Sequence, residues 1–573
     1  MMRGEEYFRH PKHDWQRRYE AIRASLVERL PDRAVADRFG YSVGYFRLLK
    51  HKFRHGKLDF SEPVPEGKVS RRRVSNETRL KIRVWRTQRL SAGEITELLS
   101  GEGIEISIRT VERVLAEEGF PKLPRRTRQK TGITVVGTEI PSRTEQIEIT
   151  EIEGEKFHSS SAGIFLFVPF ISQLKLDQII DNAGLPGSKV IPAKNYIMSF
   201  LALKLLGVER YSHVGDHTFD PGLGLFAGLN IIPKCTALST YSYSLDEDHI
   251  LKIQRLFIKH ASRLGLYKGD IVNLDFHTAP HYGDESVLEK HWAGARGRVM
   301  KGALCLFAQD ADSKLIVYSA SDIQRSEADE QVLMFLDFWQ KINRDARPTL
   351  VFDSRFTSYG NLSQLNLQGI KFITLRRRGK KQIADAEKLK DWKRIHIPHA
   401  KRKYPNPLVH ESTINLPGYT EGLRQIIVKG NGHEKPAFLI TNDFESPVEL
   451  IVSNYSRRWR VENGIAEAVK FFHLNSLSSP ILTKIHFDIT MTMVADTLYS
   501  MLAAKLRGFE ECDAPKIYRH FIKGKGDISI ENGRINVVYP KRAHNPILRS
   551  IPWNRLPDKF PLLDNTKLTF EFK

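Results

Sequence analysis

From residue 270 onward, apolar runs of strand length follow one another in an order that few sheets can accommodate. "DIVNLDFH" reads as a buried strand that ends in an acid, Asp275. "KGALCLFAQD" and "SKLIVYSASD" are two further strands joined by the polar turn "DADS". "SEADEQVLMFLDFWQKINR" has the spacing of an amphipathic helix, and "RPTLVFDSRF" is another apolar strand ending in an acid, Asp353. A short helix and the strand "GIKFITLRRR" complete the run. Three strands, helix, strand, helix, strand is the order of an antiparallel triplet joined to parallel strands. There the first and fourth strands are neighbours, so Asp275 and Asp353 emerge at one edge. The plainer alternative is that each acid merely caps the turn after its strand.

Residues 377–440 interrupt this pattern with "RRGKKQIADAEKLKDWKR" and strand-like pieces such as "HESTINLPG", "LRQIIVKG" and "PAFLITND". A helix then carries "YSRRWRVENGIAEAVKFF", from Tyr455 to Phe472. At about 100° per residue, Arg458 lies about 60° from Tyr455, and Glu462 about 20° from it on the other side. Val461, Ile465 and Val469 flank this polar stripe, which therefore adjoins the buried face. Arg458 and Glu462 can form an ordinary i,i+4 ion pair. Glu462 can also approach the edge that holds Asp275 and Asp353. Three convergent carboxylates would hold hard divalent cations through oxygen.

Ahead of this region, residues 16–53 read as three short helices, with a turn at Gly40 and a last helix near Val43–Phe53. That is the layout of a helix-turn-helix, with Arg47, Lys50, Lys52 and Arg54 placed for phosphates. After the polar linker "SEPVPEGKVSRRR", a second three-helix rhythm ends in "SIRTVERVLAEEGF", where Ser107 or Thr110 caps a helix bearing Arg109 and Arg113. The basic tether "PKLPRRTRQKTG" follows, and residues 160–265 are helical by pattern. A net charge of +21 over 573 residues points to a polyanionic partner, nucleic acid before membrane. The charged start is unlike a secretion signal, and no long uncharged apolar run occurs. Cys235, Cys305 and Cys512 are few and far apart, form no zinc motif, and fit a reducing cytoplasm.

With these residues in view, the chain resembles a DDE transposase of a bacterial insertion sequence, of the IS-four type. That family has an RNase H-like core, a β-rich insertion between its second Asp and its Glu, and a Tyr–Arg–Glu–Lys signature around the Glu. The signature maps onto Tyr455, Arg458 and Glu462; its lysine position is Val469, and Lys470 lies one step further. The resemblance spans roughly residues 270–475. It implies that Asp275, Asp353 and Glu462 are catalytic and hold two Mg²⁺ (or Mn²⁺) ions about 4 Å apart, which activate the attacking oxygen and stabilise the leaving one. It implies that Tyr455, Arg458 and Lys470 position the DNA strand, and that Arg47, Lys50, Arg109 and Arg113 belong to modules reading terminal inverted repeats. The partner is then double-stranded DNA, the active complex at least a homodimer, and the location the cytoplasm of a bacterium or archaeon, at the nucleoid.

The expected architecture is multidomain. Helix-turn-helix domains at 1–60 and 70–125 and a basic linker at 126–159 precede a helical domain at 160–265. An α/β RNase H-like catalytic domain follows at 266–376 and 441–475, interrupted by the β-rich insertion 377–440, with a C-terminal helical tail at 476–573. Loop histidines His277 and His281 are expected near DNA, Asp310 and Asp312 in a solvated turn, and Trp459 in the core. Two rival readings are a DNA-binding regulator derived from a transposase and an RNase H-like nuclease without strand transfer.

Overall fold

The computed structural model describes residues 14–56, 74–88, 90–120, 143–282, 288–294, 297–321, 323–377, 379–397, 404–432, 434–476 and 481–573, with isolated positions 8, 58 and 123. The linker 61–73 and, but for Leu123, the tether 121–132 lie outside the described residues. The chain divides into two compact units, 1–137 and 138–573.

The first unit holds two triplets of helices. Helices α1 (Asp14–Leu26), α2 (Asp32–Phe39) and α3 (Val43–Arg54) close over Ile22, Val35, Phe39, Phe46 and Leu49. Gly40 ends α2 in the left-handed region at φ 66°, where a side chain would be strained. Helices α4 (Asn76–Thr87), α5 (Ala92–Gly101) and α6 (Ile108–Glu117) close over Ile82, Ile95, Leu99, Val111 and Val114. Serine caps start each of the three: Ser75, Ser91 within a capping box with Glu94, and Ser107, which accepts from the Thr110 N–H. Each such cap contributes about 1 kcal/mol.

The main core of the second unit runs from Ile149 to Phe572, and a smaller cluster around Val351, Ile373, Ile426 and Ile451 lies beside it. Its first strand, β1 (Lys156–Ser159), leads into the buried turn Ala162–Phe167 and the short helices Val168–Gln173 and Leu176–Ala183. Helices α7 (Ala193–Leu205) and α8 (Glu247–Arg263) follow. The sheet region then contains β2 (Ile271–Pro280), β3 (Lys290–Ala293), β4 (Arg298–Asp310), β5 (Ile316–Ala320), α9 (Gln331–Ile342), β6 (Thr349–Phe352), α10 (Tyr359–Leu367) and β7 (Phe372–Leu375). Next come β8 (Lys393–Arg394), β9 (Leu408–Ile414), β10 (Leu423–Lys429), β11 (Ala437–Thr441), α11 (Val448–Arg457), α12 (Trp459–Phe471) and α13 (Leu482–Ala503). The chain ends in β12 (Gly526–Glu531), β13 (Arg534–Tyr539), β14 (Lys559–Phe560) and β15 (Thr566–Phe572).

In the large sheet the neighbours run β3-β4-β2-β6-β7-β11-β10-β9-β8, with β5 beside β4. β2 pairs antiparallel with β4 and parallel with β6, and β6 pairs parallel with β7. The segment 377–440 is therefore not set apart from this sheet: β11 pairs antiparallel with β7 and carries β10, β9 and β8 outward.

Three expectations change here. The helical segment 160–265 shares its core with the sheet, because α8 sends Gln254 to Ser319 on β5 and to Thr490 on the buried helix α13. Lys204 of α7 likewise reaches Asp488 of α13 at 2.7 Å and the Phe472 carbonyl at 2.9 Å. The segment 476–573 is not a helical tail: after α13 it keeps only short helical turns, such as Asn545–Arg549, and its strands build a five-stranded sheet with β1, in the order β1-β12-β13-β15-β14. Asn532 and Gly533, at φ 54° and 63°, make the tight turn between β12 and β13. Residues 143–159 are docked, with the Glu145 N–H on Asn230 Oδ1 at 2.9 Å and β1 paired to β12.

Candidate active site

The register of the central strands places the two aspartates. β2 pairs with β6 from Ile271↔Thr349 to Leu274↔Phe352, and the next residues on the two strands are Asp275 and Asp353. Adjacent strands lie about 4.8 Å apart, so the two acids leave the sheet side by side. Asp275 does not end its strand, as the sequence suggests: β2 runs on to Pro280 against β4. It marks the point where β2 outruns its parallel neighbour. Asp353 also does the plainer job, accepting the Arg355 N–H at 2.8 Å to cap the turn Ser354–Phe356.

The stretch around Glu462 is two helices. α11 and α12 meet at Arg458, where N–H to C=O bonds three residues apart tighten the chain: Arg458 to Tyr455 at 3.1 Å and Val461 to Arg458 at 3.0 Å. Tyr455 thus lies in the last turn of one helix and Glu462 in the first turn of the next. The Arg458 guanidinium bridges the acids, with Nη1 3.2 Å from Asp275 Oδ2 and Nη2 2.7 Å from Glu462 Oε1. The expected i,i+4 pair is present, as one half of a longer bridge.

Burial, the largest influence, pushes the Asp275 carboxyl up to about 6; Arg458 opposes this, and the charges of Asp353 and Glu462 add to it. Burial works against the Arg458 charge, but Asp275, Tyr455, Glu462 and Asp353 outweigh it, so the guanidinium holds its proton more firmly than usual. Tyr455 packs against the cluster of Val351, Ile373 and Ile451, and burial raises its hydroxyl to about 12.

As arranged, no three acidic, histidine or cysteine side chains among the described residues stand close enough to ring a metal ion. Arg458 holds Asp275 and Glu462 instead. The donor set nevertheless suits a hard divalent cation: it is all carboxylate, and the proton affinity of Asp275 is raised by the other two acids.

The remaining expected residues are placed as follows. Lys470 is exposed in the last turn of α12, while Val469, at the signature's lysine position, packs against the core. Arg47 and Lys50 on α3 are both held by Asp32, at 3.3 and 2.5 Å. Arg109 is exposed near the start of α6, and Arg113 lies 3.8 Å from Glu117. His277 is on strand β2 rather than in a loop; its ring meets Asn475 Oδ1 at 2.7 Å, and burial lowers its pKa. His281 follows β2 in a loop. Asp310 is not solvated: it is 1% exposed and accepts the Gly269 N–H and the Ser313 N–H, both at 2.8 Å. Asp312 stays partly exposed beside Lys268 and Arg457. The side chain of Trp459 lies outside the described residues.

One residue escapes the sequence reading. Arg355 sits with Cζ 4.9 Å from the centroid of the Phe276 ring, which stacks on Phe356 at 4.1 Å. It stands two residues beyond Asp353, and its backbone N–H already binds that acid. A basic residue in the turn after a strand-ending acid was the available signal.

Residues 289–495, from β3 through most of α13, match the family model of the transposase DDE domain. The chain carries a transposase DDE domain. The match includes Asp353, Arg458 and Glu462 and starts after Asp275. A search of curated proteins finds no match. The DDE domain supports transposase activity in general, action on DNA, and use of divalent metal ions. No single helix among the described residues is long and apolar enough to cross a membrane.

Proposed function

We propose that this protein is a DNA transposase of the IS-four type that binds the terminal inverted repeats of its element, cleaves the ends and joins the freed 3′-OH to target DNA. The observation that carries the reading is the meeting of Asp275 and Asp353 at one register step, with Glu462 tied to the same point through Arg458. The strand order β5-β4-β2-β6-β7, antiparallel then parallel, supports an RNase H-like core.

Asp275, Asp353 and Glu462 would hold divalent cations, which supply activation of the attacking oxygen and stabilisation of the leaving oxygen at a phosphodiester. The chain's own residues do the rest. Arg458 keeps Asp275 and Glu462 aligned through both ends of its guanidinium and adds positive charge at the edge where a DNA phosphate would lie. Tyr455, half-buried against the cluster of Val351 and Ile451, fixes the helix junction at Arg458. Lys470 reaches solvent where a strand could pass. The two helix triplets of the first unit supply end recognition in this reading, with α3 and α6 as the helices that read DNA and Arg109 and Arg113 on the exposed side of α6. Pairing two ends implies at least a dimer.

The test is an assay with DNA carrying the gene's own flanks, a supercoiled target plasmid and Mg²⁺. Transposition gives joined products with a fixed end sequence. Cleaved ends that are never joined indicate a nuclease, and specific binding without cutting indicates a regulator.

A further inference from the structure

After α13, cations gather at one place with no carboxylate to meet them. Lys516, Arg519 and Lys523 follow one another along the helical turns Ala514–Ile517 and Tyr518–Ile522, three and four residues apart, the spacing of one helical face. All three are exposed. Arg542, in the segment after β13, is pinned to the same turns, its Nη2 donating to the Lys523 carbonyl at 2.9 Å. His520 and His544 stand beside these cations with ring centroids 4.6 Å apart, on a floor made by Phe509 and Phe521. The turns are tied to the helix that bears Glu462, since the Ala514 N–H donates to Glu467 Oε1 at 2.7 Å. Glu467 lies about 140° round α12 from Glu462, so the cluster sits away from the acid edge.

Among the described residues, no carboxylate comes within 4.0 Å of Lys516, Arg519, Lys523, Arg542 or either imidazole. The neighbouring acids are engaged elsewhere. Asp513 accepts the Lys516 N–H at 3.2 Å, Glu510, beside Arg507, accepts the Gly508 N–H at 3.0 Å, and Glu511 faces Lys314 at 3.8 Å. Other exposed cations of the C-terminal sheet do find acids, as Lys567 finds Asp558 at 3.0 Å and Lys156 finds Glu531 at 2.6 Å. Arg519 Nη2 lies 3.4 Å from His520 Nε2. A guanidinium only donates, so that imidazole nitrogen accepts and the ring is neutral in this arrangement. Burial, then the charges of His544, Arg519, Lys516 and Arg542, hold the His520 pKa below its ordinary value.

Like charges gathered in this way repel, and a bound anion relieves them. A metal cation is the wrong ligand for the two imidazoles, because four fixed positive charges stand beside them. Nor is the cluster built to stack on a base: Phe521 is buried and Phe509 half-buried beneath the histidines. The row from Lys516 to Lys523 spans about 10 Å. Duplex DNA offers one phosphate charge per about 1.7 Å of its axis, enough to meet several of these cations at once. The transposase DDE domain makes DNA the polyanion at hand.

We propose that Lys516, Arg519, Lys523 and Arg542, with His520 and His544, form a DNA-backbone site apart from the acid edge, which grips duplex phosphates without reading sequence. A phosphate beside the histidines favours their charged form, so binding takes up protons and tightens as pH falls from about 8 to about 6. This rests on DNA as the partner and not on cutting by the acids. It is tested with the full chain and a short fluorescein-labelled duplex of unrelated sequence, by anisotropy over a range of salt and pH. Arg519→Gln and Lys523→Gln each lower the slope of log affinity against log salt by a little under one. Lys567→Gln, whose cation is already paired, leaves the slope unchanged. The double variant His520→Gln/His544→Gln flattens the rise in affinity toward low pH. Wild-type salt slopes in both Arg519→Gln and Lys523→Gln overturn the proposal, and so does an equal loss in Lys567→Gln, which would mean a general effect of charge. A wild-type pH profile in the double variant overturns the part given to the histidines. A DNA-free dimer that Arg519→Gln dissociates assigns the patch to a second copy and overturns the site as well. If the wild type cuts its own flanks with Mg²⁺ while these variants bind as it does, only this site falls. If the wild type binds no DNA, the transposase reading falls with it.

Discussion

At the scale of residues, the bridge through Arg458 has two unequal halves. Its contact with Asp275 is largely buried, and removing one partner of a buried pair costs about 3–5 kcal/mol. Its contact with Glu462 is half exposed on the acid side, and such pairs contribute about 0–1 kcal/mol. Thermal melting in EDTA should therefore show a Tm drop of several degrees for Arg458→Ala and almost none for Glu462→Gln. Equal drops would contradict the assignment of burial. The proton affinity of Asp275 makes a second prediction. Its folded carboxyl stands at about 6 against an ordinary 3.8, so the folded state binds the proton more tightly than the unfolded one. That stabilisation is complete below the ordinary value and is lost as pH rises through 6. In EDTA, Asp275→Asn should flatten the fall in Tm between about pH 4 and 7. A slope identical to wild type would show that another group causes it.

At the scale of elements, periodicity identified β2, β4, β5, β6, β7 and α9, because each buries a regular face. Asp353 was legible as a strand-ending acid and Glu462 by its place after the interruption. Asp275 was legible as a residue but misplaced within its strand, since strand length depends on β4, a partner the local pattern does not name. The break at Arg458 was hidden because both helices keep α-type spacing and the junction residue stays in helical conformation. The C-terminal sheet was missed although "IENGRI" carries an Asn-Gly hairpin signal. Its partner β1 lies more than 350 residues earlier in the chain, a distance at which no local pattern speaks. The close packing there gives a test. A methyl group on Gly163 would drive into the Ile522 carbonyl where the turn Ala162–Phe167 meets the C-terminal segment. Gly163→Ala should destabilise the fold by more than the usual ~0.5–3 kcal/mol of a point change, seen as a lowered Tm or a lost yield of folded protein. Normal expression and an unshifted Tm would contradict that packing.

At the scale of the whole molecule, the proposed function places recognition and chemistry in different units. Residues 1–137 carry the two helix triplets, and residues 138–573 carry the acids, the extended sheet and the closing C-terminal sheet. The first unit expressed alone should bind the gene's flanks with affinity that falls steeply with salt. The second alone should retain metal-dependent nicking without end preference. Ending the chain at Leu506 removes β12–β15 and leaves β1 unpaired and the shared core open. That product should be insoluble, and a soluble, protease-resistant fragment would mean that the core closes earlier.

The central claim is that Asp275, Asp353 and Glu462 form one cutting site. It is tested most directly by gel analysis of DNA bearing the gene's flanks, comparing wild type with Asp353→Asn and Glu462→Gln at equal DNA occupancy, with and without Mg²⁺. The wild type should nick at one defined end only with Mg²⁺, and nicking should fall by at least about 10²-fold in both variants although the DNA remains bound. Nicking by either variant at the wild-type rate would contradict it.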